Sequence, residues 1–241
     1  MTTYPLHATR EWLKTSPHPV ARQALALIRR LRLFELPAPR PVYRPIFALH
    51  RCTGDLIMSL LRVFYWTPLF KSRCIECGKQ LYLYGGLPYL SGRLHIRYGN
   101  RCRISGHTTF SGRNASKSTP QLILGDNVDI GWMSTIAVAG KVVIGNNVRI
   151  AGRAFIAGYP GHPLDAAARA AGMPDLDEQT GDITIEDDVW IATGVTILPG
   201  VTIGRRSIIA AGSIVSRDIP ADVIAGGCPA TVIRSLPAGE S

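Results

Sequence analysis

Residues 185–220 read IEDDVWIATGVTILPGVTIGRRSIIAAGSIVSRDIP, six unbroken units of six residues. Ile185, Ile191, Ile197, Ile203, Ile209 and Val215 lead the units, and Val189, Val195, Val201, Ser207, Ser213 and Ile219 follow four residues later. A small residue often comes after the leader, as at Ala192, Gly204 and Ala210. This period is neither that of an amphipathic helix nor that of a half-buried strand. It belongs to a parallel β-helix, in which each unit forms one flat side of a triangular coil. The leading side chain then points inward and stacks on its counterpart one coil away, each contributing about 1.5–3 kcal/mol of burial.

Upstream, Leu124, Ile130 and Ile136 form one run of sixes, and Ile144, Ile150 and Ile156 another. The phase slips by two residues around Gly140 to Val143, which predicts a bulge at a corner. Ile104 and Phe110 fit the period loosely, and Leu83 to Tyr98 reads as strands separated by glycine turns. The repeat stops between about Ala157 and Asp182, where Pro160, Pro163, Pro174 and LDAAARAAGM occur. Such a stretch cannot continue a coil; it predicts an extruded loop at about 157–182 with one helical turn. Long insertions on a rigid scaffold are where function concentrates.

The 241 residues suffice for one large domain or a domain with an appendage. Residues 78–236 are assigned to the β-helix, 1–77 to a basic helical extension and 237–241 to a tail. The formal charge of +10 is uneven, since residues 1–78 carry 12 Lys/Arg against 4 Asp/Glu. No nucleic-acid module accompanies that charge, so no nucleic-acid partner is expected. His18–Leu36 reads as a basic helix, Pro37 to Pro45 as a stiff linker, and Ile46–Tyr65 as a second, amphipathic helix. Two readings of that second helix stand: it caps the open end of the coil, or it lies on an anionic inner-membrane surface. No uncharged run approaches a membrane span, and MTTYPLHATREWLK lacks the apolar core of a secretory signal. The expectation is a cytoplasmic chain, with peripheral contact at the inner membrane under the second reading.

Five cysteines show no framework spacing. Cys74 and Cys77 form a lone CxxC without two further ligands, so no metal is expected and the cysteines read as buried small residues. Asn114-Ala115-Ser116 fits a glycosylation pattern with no sign of secretion. Of the six histidines, only His162 lies in the interruption, within GYPGHPLDAAARAAG. A loop histidine is commonly plain surface. Held against a rigid scaffold, it suits general-base work, because histidine ordinarily titrates near neutrality.

TIEDDVWIATGVTILPGVTIGRRSIIAAGSIVSRDIPADVIAGGCPATVIR resembles the C-terminal half of hexapeptide-repeat acyltransferases with the left-handed β-helix fold. HPLDAAARAAG is similar to the His-Pro loop of their maltose and galactoside acetyltransferase branch. WTPLFKSRC leading into LPYLSGRLHIRYGNRCRISG resembles bacterial surface-polysaccharide O-acetyltransferases. The likeness is strong from Leu124 to Arg234, weaker back to about Gly78 and not evident before. Left-handedness departs from the usual rule for parallel crossovers and is implied by the resemblance alone.

The resemblance implies acetyl-CoA as acyl donor, a sugar of a surface polysaccharide or its precursor as acceptor, and a homotrimer with sites between subunits. It implies His162 as base and the backbone N–H of Thr193 as oxyanion donor. It places pantetheine along Ala192, Thr193 and Ala211, and the nucleotide end near Ser216, Arg217 and Arg234. The Asn and Asp with which sugar-acetylating relatives bind their glycoside map near Gly131 and Ala139, beside Trp132, so galactosides and maltose are doubtful acceptors. Asp165 orients the base, binds a hydroxyl or caps the loop. Cys228, where relatives have Asn, reads as a packing variant. The alternatives are an N-acetyltransferase of a nucleotide-linked amino sugar or antibiotic, and a non-catalytic β-helix scaffold. A metal-dependent carbonic-anhydrase-like site would need His95, His107 and His162 together, a grouping their spacing does not suggest.

Overall fold

Every inward side chain of the repeat meets the one directly above it, which is what the six-residue period requires. In a computed structural model that describes residues 5–237, the coils stack three parallel sheets into a left-handed triangular prism. We call these sheets faces A, B and C in the order the chain visits them. Residues 1–4 of the extension and 238–241 of the tail lie outside the described residues.

Face A stacks Tyr98, Leu124, Ile144, Ile185 and Ile203. Face B stacks Leu83, Ile104, Ile130, Ile150, Ile191 and Ile209. Face C stacks Leu90, Phe110, Ile136, Ile156, Ile197 and Val215. All but Leu90 are buried. The follower positions are buried too, and where they are serines the hydroxyls are satisfied. Ser207 donates to the Pro220 carbonyl at 2.7 Å and Ser213 to that of Ala210 at 2.6 Å.

The corner from face A to face B turns through a residue at positive φ in each coil, among them Asn127, Asn147 and Asp188. Asn and Asp tolerate that region better than most residues. Their neighbours form a ladder: the N–H of Asn100 donates to Asp126, that of Asp126 to Asn146 and that of Asn146 to Asp187, at 2.6–2.9 Å.

From Tyr98 to Ile203, every lengthening of the period falls at the corner from face C back to face A. Phe110 to Leu124 takes fourteen residues, Ile136 to Ile144 eight and Ile156 to Ile185 twenty-nine, against six elsewhere. The two-residue slip is therefore a corner feature, as its position in the sequence predicts. Residues 113–120 form a further insertion that the sequence reading passed over as a loose fit.

The chain divides into two compact units, Met1–Thr53 and Gly54–Ser241. In the first, helix α1 (Pro5–Thr15) packs on α2 (Pro19–Arg32). His18 caps α2, its Nδ1 accepting from the Val20 N–H at 3.3 Å.

Helix α3 spans Arg40–Leu61, runs into a π-helical turn at Arg62–Trp66, and continues as α4 (Thr67–Ser72). The expected proline linker up to Pro45 and the helix start at Ile46 are corrected. Pro41 sits in the first turn, where a missing N–H costs nothing, and Pro45 forfeits one bond inside the helix.

The prism begins at the strand Cys74–Cys77, so the CxxC belongs to face A. Its N-terminal end is plugged from α4. Phe70 is fully buried, with ring centroids 6.1 Å from Tyr98 and 6.3 Å from Phe110, and Trp66 packs beside it. The helix over 46–65 does not provide this plug, because its apolar side chains stay exposed. The reading of all cysteines as buried also needs correction: Cys102 is buried and Cys74 half-buried, but Cys52, Cys77 and Cys228 are exposed. Burial and the neighbouring Cys77 push the Cys74 thiol up to about 12, so it stays protonated near neutrality.

Removing one rung of the ladder gives a direct check. Ile191→Ala should cost about 2–5 kcal/mol in denaturant unfolding, from lost burial and a cavity the rigid coil cannot close. Trp190→Ala on the outer side of the same strand should cost clearly less; equal losses would contradict the inward ladder.

Candidate functional site

Two insertions leave the prism at the corner between faces C and A, and they hold each other. Arg113 opens the shorter one and is 5% exposed. Its Nε donates to Asp175 Oδ1 at 2.7 Å, its Nη2 to the Asp175 carbonyl at 2.6 Å and its Nη1 to Asp177 Oδ1 at 2.6 Å. Asp175 and Asp177 lie in the longer insertion, which carries His162. The second carboxylate oxygen of Asp175 accepts from the Gly161 N–H at 3.1 Å, one residue before His162. Gln179 donates to the His162 carbonyl at 3.3 Å, Tyr159 Oη to Ser111 at 3.1 Å, and Lys117 pairs with Asp177 at 3.3 Å. The base of the loop is thus fixed on both sides of His162, while the His162 residue itself is exposed.

Burial works against the Arg113 charge, but the bonds from Asp175 and Asp177 outweigh it and raise its pKa. The Arg113 and Lys117 donors hold the Asp177 carboxyl below its ordinary range. The loop contains the expected helical turn, α5 (Ala166–Ala170). Asp165 caps it, accepting from the Ala168 N–H at 2.7 Å, so its carboxylate faces the helix start.

The other residues fall into two groups. Ala192 and Thr193 follow the face B strand Trp190–Ile191, and Ala211 follows Ile208–Ile209, so all three stack at the corner between faces B and C. The Gly212 N–H donates to the Thr193 carbonyl at 2.9 Å, fixing the Thr193–Gly194 peptide plane. Among the described residues the Thr193 N–H has no acceptor, a property it shares with Trp132, Gly152 and Ala211 in the same column. Added Cβ atoms at Gly194 and Gly212 would meet nothing within 4 Å, so the column borders open space. Toward the N-terminal side the groove closes. The Trp132 indole lies against Gly152, and the Arg153 guanidinium sits 5.3 Å from its ring centroid.

Ser216 and Arg217 follow the face C strand Ile214–Val215, at the same corner as the His162 loop and two coils further on. Arg234 lies on the strand Ala230–Ser235, which folds back antiparallel on the end of face B. Both arginines are exposed and without ion-pair partners among the described residues.

Within one chain, then, His162 and Thr193 occupy different corners, the two edges of face C. Gly131 and Ala139 are likewise split between those corners, and Ala139 is buried. His95 on face A, His107 at the B–C corner and His162 in the loop are also apart. The sequence reading missed Arg113, Asp175 and Asp177. The available signal was the fourteen-residue spacing from Phe110 to Leu124, which marks a second insertion at the corner of the first.

Residues 182–217 match the family model described as bacterial transferase hexapeptide (six repeats). The chain is 45% identical over 120 residues to a Saccharomyces cerevisiae protein provisionally named an acetyltransferase, covering 50% of this chain and 59% of that one. It is 42% identical over 118 residues to galactoside O-acetyltransferase of Escherichia coli, covering 46% of this chain and 56% of the relative. The chain spans about half the length of these curated relatives. Among solved structures, AntD, an N-acyltransferase from Bacillus cereus crystallised with dTDP and 3-hydroxybutyryl-CoA, superposes with a TM-score of 0.57. It does so at 17% identity, over 72% of this chain and 89% of the other, a likeness of fold. The resemblance read from the sequence to hexapeptide-repeat acyltransferases agrees with the family model, and that to the galactoside-acetylating branch agrees with the Escherichia coli relative.

The clamp is open to test. Arg113→Ala leaves the buried Asp175 carboxylate without its cation and should cost about 3–5 kcal/mol. Limited proteolysis should then cut within 158–182, where the parent resists; an unchanged digestion pattern would contradict the clamp. Asp177 has a folded pKa below its unfolded value of 3.8. Its stabilising contribution is therefore present above that value and lost as pH falls through the depressed one. Cleavage of the parent loop should rise only in that acid range.

Proposed function

We propose, for a chain that carries the hexapeptide repeat of bacterial transferases, an acetyl-CoA-dependent O-acetyltransferase. The acceptor is a sugar hydroxyl of a surface polysaccharide or its precursor, and the enzyme is a cytoplasmic homotrimer working at the inner membrane surface. One observation carries this reading. The long interruption of the repeat is pinned at its base by Arg113 and presents an exposed histidine from a rigid corner.

The residues present suit the donor. A slim pantetheine arm fits beside Ala192, Thr193 and Ala211, where open space adjoins Gly194 and Gly212. Arg217 and Arg234, without ion-pair partners among the described residues, suit its phosphates. The His162 imidazole takes the proton from the acceptor hydroxyl as its oxygen bonds to the thioester carbonyl carbon. The Thr193 N–H, without an acceptor among the described residues, stabilises the charge that develops on the carbonyl oxygen. His162 then returns the proton to the departing sulfur as the carbon–sulfur bond breaks. Because the two groups lie at different corners of one chain, a second copy must supply one of them, which supports an assembly with sites between subunits.

Saccharide acceptors are supported by the galactoside-acetylating relative. The positions that the resemblance maps to the polar glycoside contacts of that branch hold Gly131 and the buried Ala139, and the half-exposed Trp132 indole beside Arg153 suits contact with a sugar ring.

The decisive assay is acetyl-CoA turnover against nucleotide- and lipid-linked sugars. His162→Ala should lower the rate by about 10²–10⁴ while CoA binding, followed by calorimetry, persists. Unimpaired turnover would remove the base, and no CoA binding by the parent would favour a scaffold. Hydroxylamine should release the product acetyl group as expected for an ester; a resistant product would be an amide and would assign N-acetylation.

A further inference from the structure

Helix α3 is amphipathic in the wrong sense for a buried packing element. At about 100° per residue, Arg44, Arg51, Asp55 and Arg62 fall on one side, and Ile46, Leu49, Ile57, Leu60, Leu61 and Phe64 on the other. The charged side is the one turned to the prism within the second unit. The Arg62 guanidinium stacks 4.7 Å from the Tyr82 ring centroid, and Asp55, Ser59 and Arg62 border a groove with Tyr82, Leu83 and Tyr84.

The apolar side therefore points outward. None of the 22 residues of α3 is buried, and beyond it Phe64 is 76% exposed. Monomeric surfaces rarely carry so continuous an apolar strip without a partner.

We propose that this strip lies in the surface of an anionic phospholipid bilayer. Three features select that occupant. The arc of apolar residues is broad and rich in Phe and Leu, which suits insertion to the depth of the acyl boundary. The helix is not apolar enough to cross a membrane, as holds for every helix among the described residues, so it must lie flat. Helix α3 itself carries Arg40, Arg44 and Arg51 against Asp55, and Arg62 follows it. A second copy would bring the same positive charge against itself, whereas an anionic leaflet would neutralise it. The inference extends the membrane part of the function proposed above and does not depend on the catalytic part. It would place the chain beside acceptors that are themselves held in the membrane.

The test uses the full chain with vesicles of phosphatidylglycerol and phosphatidylcholine, and with phosphatidylcholine alone. Cosedimentation should occur with the first and weaken at least about tenfold with the second. Leu60→Asp with Phe64→Asp should abolish binding while the mass in light scattering and the thermal transition stay those of the parent. Arg40→Gln and Arg44→Gln, which leave the apolar strip intact, should each weaken binding about fivefold. A parent that stays in the supernatant with anionic vesicles would overturn the proposal. So would undiminished binding by the Asp variant. A fall in assembled mass of the Asp variant, with a parent indifferent to vesicles, would instead assign the strip to a second copy. Acetyl transfer to a soluble acceptor reports separately on the catalytic reading, so either can fail alone.

Discussion

Each inward side chain of the prism stacks on its counterpart one coil away, and that constraint governs everything else. A residue added within a face would push the next aliphatic side chain off its stack and expose it to water, at a cost of about 1.5–3 kcal/mol for each rung displaced. Additional chain can leave only at corners. Between Tyr98 and Ile203 it leaves at one corner, from face C to face A, where all three lengthenings accumulate. The rest of the column stays in register and gives a rigid edge from which those insertions project.

Stacked insertions at one corner can support each other. The backbone carbonyl of Ser116 accepts from Arg93, and its hydroxyl donates to the Ala139 carbonyl, stitching successive coils. Arg113 extends the stitching outward to Asp175 and Asp177, and Asp175 passes it to the backbone next to His162. The base role proposed for His162 requires such support, since a loosely held loop would spend most of its time elsewhere. The buried guanidinium–carboxylate pair is tolerable because the Asp175 oxygens and carbonyl satisfy their donors within the same cluster.

The fold was legible from residues 185–220 because its signal is periodic and each unit repeats the last. Eighteen-residue partners such as Ile185 and Ile203 pair as the spacing requires. The slip near Gly140 and the loop after Ala157 were legible for the same reason, as departures from a strict rhythm. Arg113 was not, because a charged residue outside the repeat looks like any surface arginine until the loop folds onto it. The plug was misplaced for a related reason. Periodicity identified an apolar face on the helix over 46–65 but could not say which way that face turns. The folded chain puts Phe70 inside the prism end and Phe64 outside. The proline run misled because Pro37 to Pro45 reads as a stiff linker, although the first turn of a helix accepts Pro41 and its interior holds Pro45 at the loss of one bond.

Cocrystallisation with CoA addresses the central claim most directly, namely that a corner-clamped loop presents His162 to a neighbouring column. The account predicts the CoA thiol between His162 of one copy and the Thr193 N–H of the adjacent copy, with the pantetheine arm beside Gly194 and Gly212. CoA bound at another face, or a thiol remote from every His162 in the assembly, would contradict it.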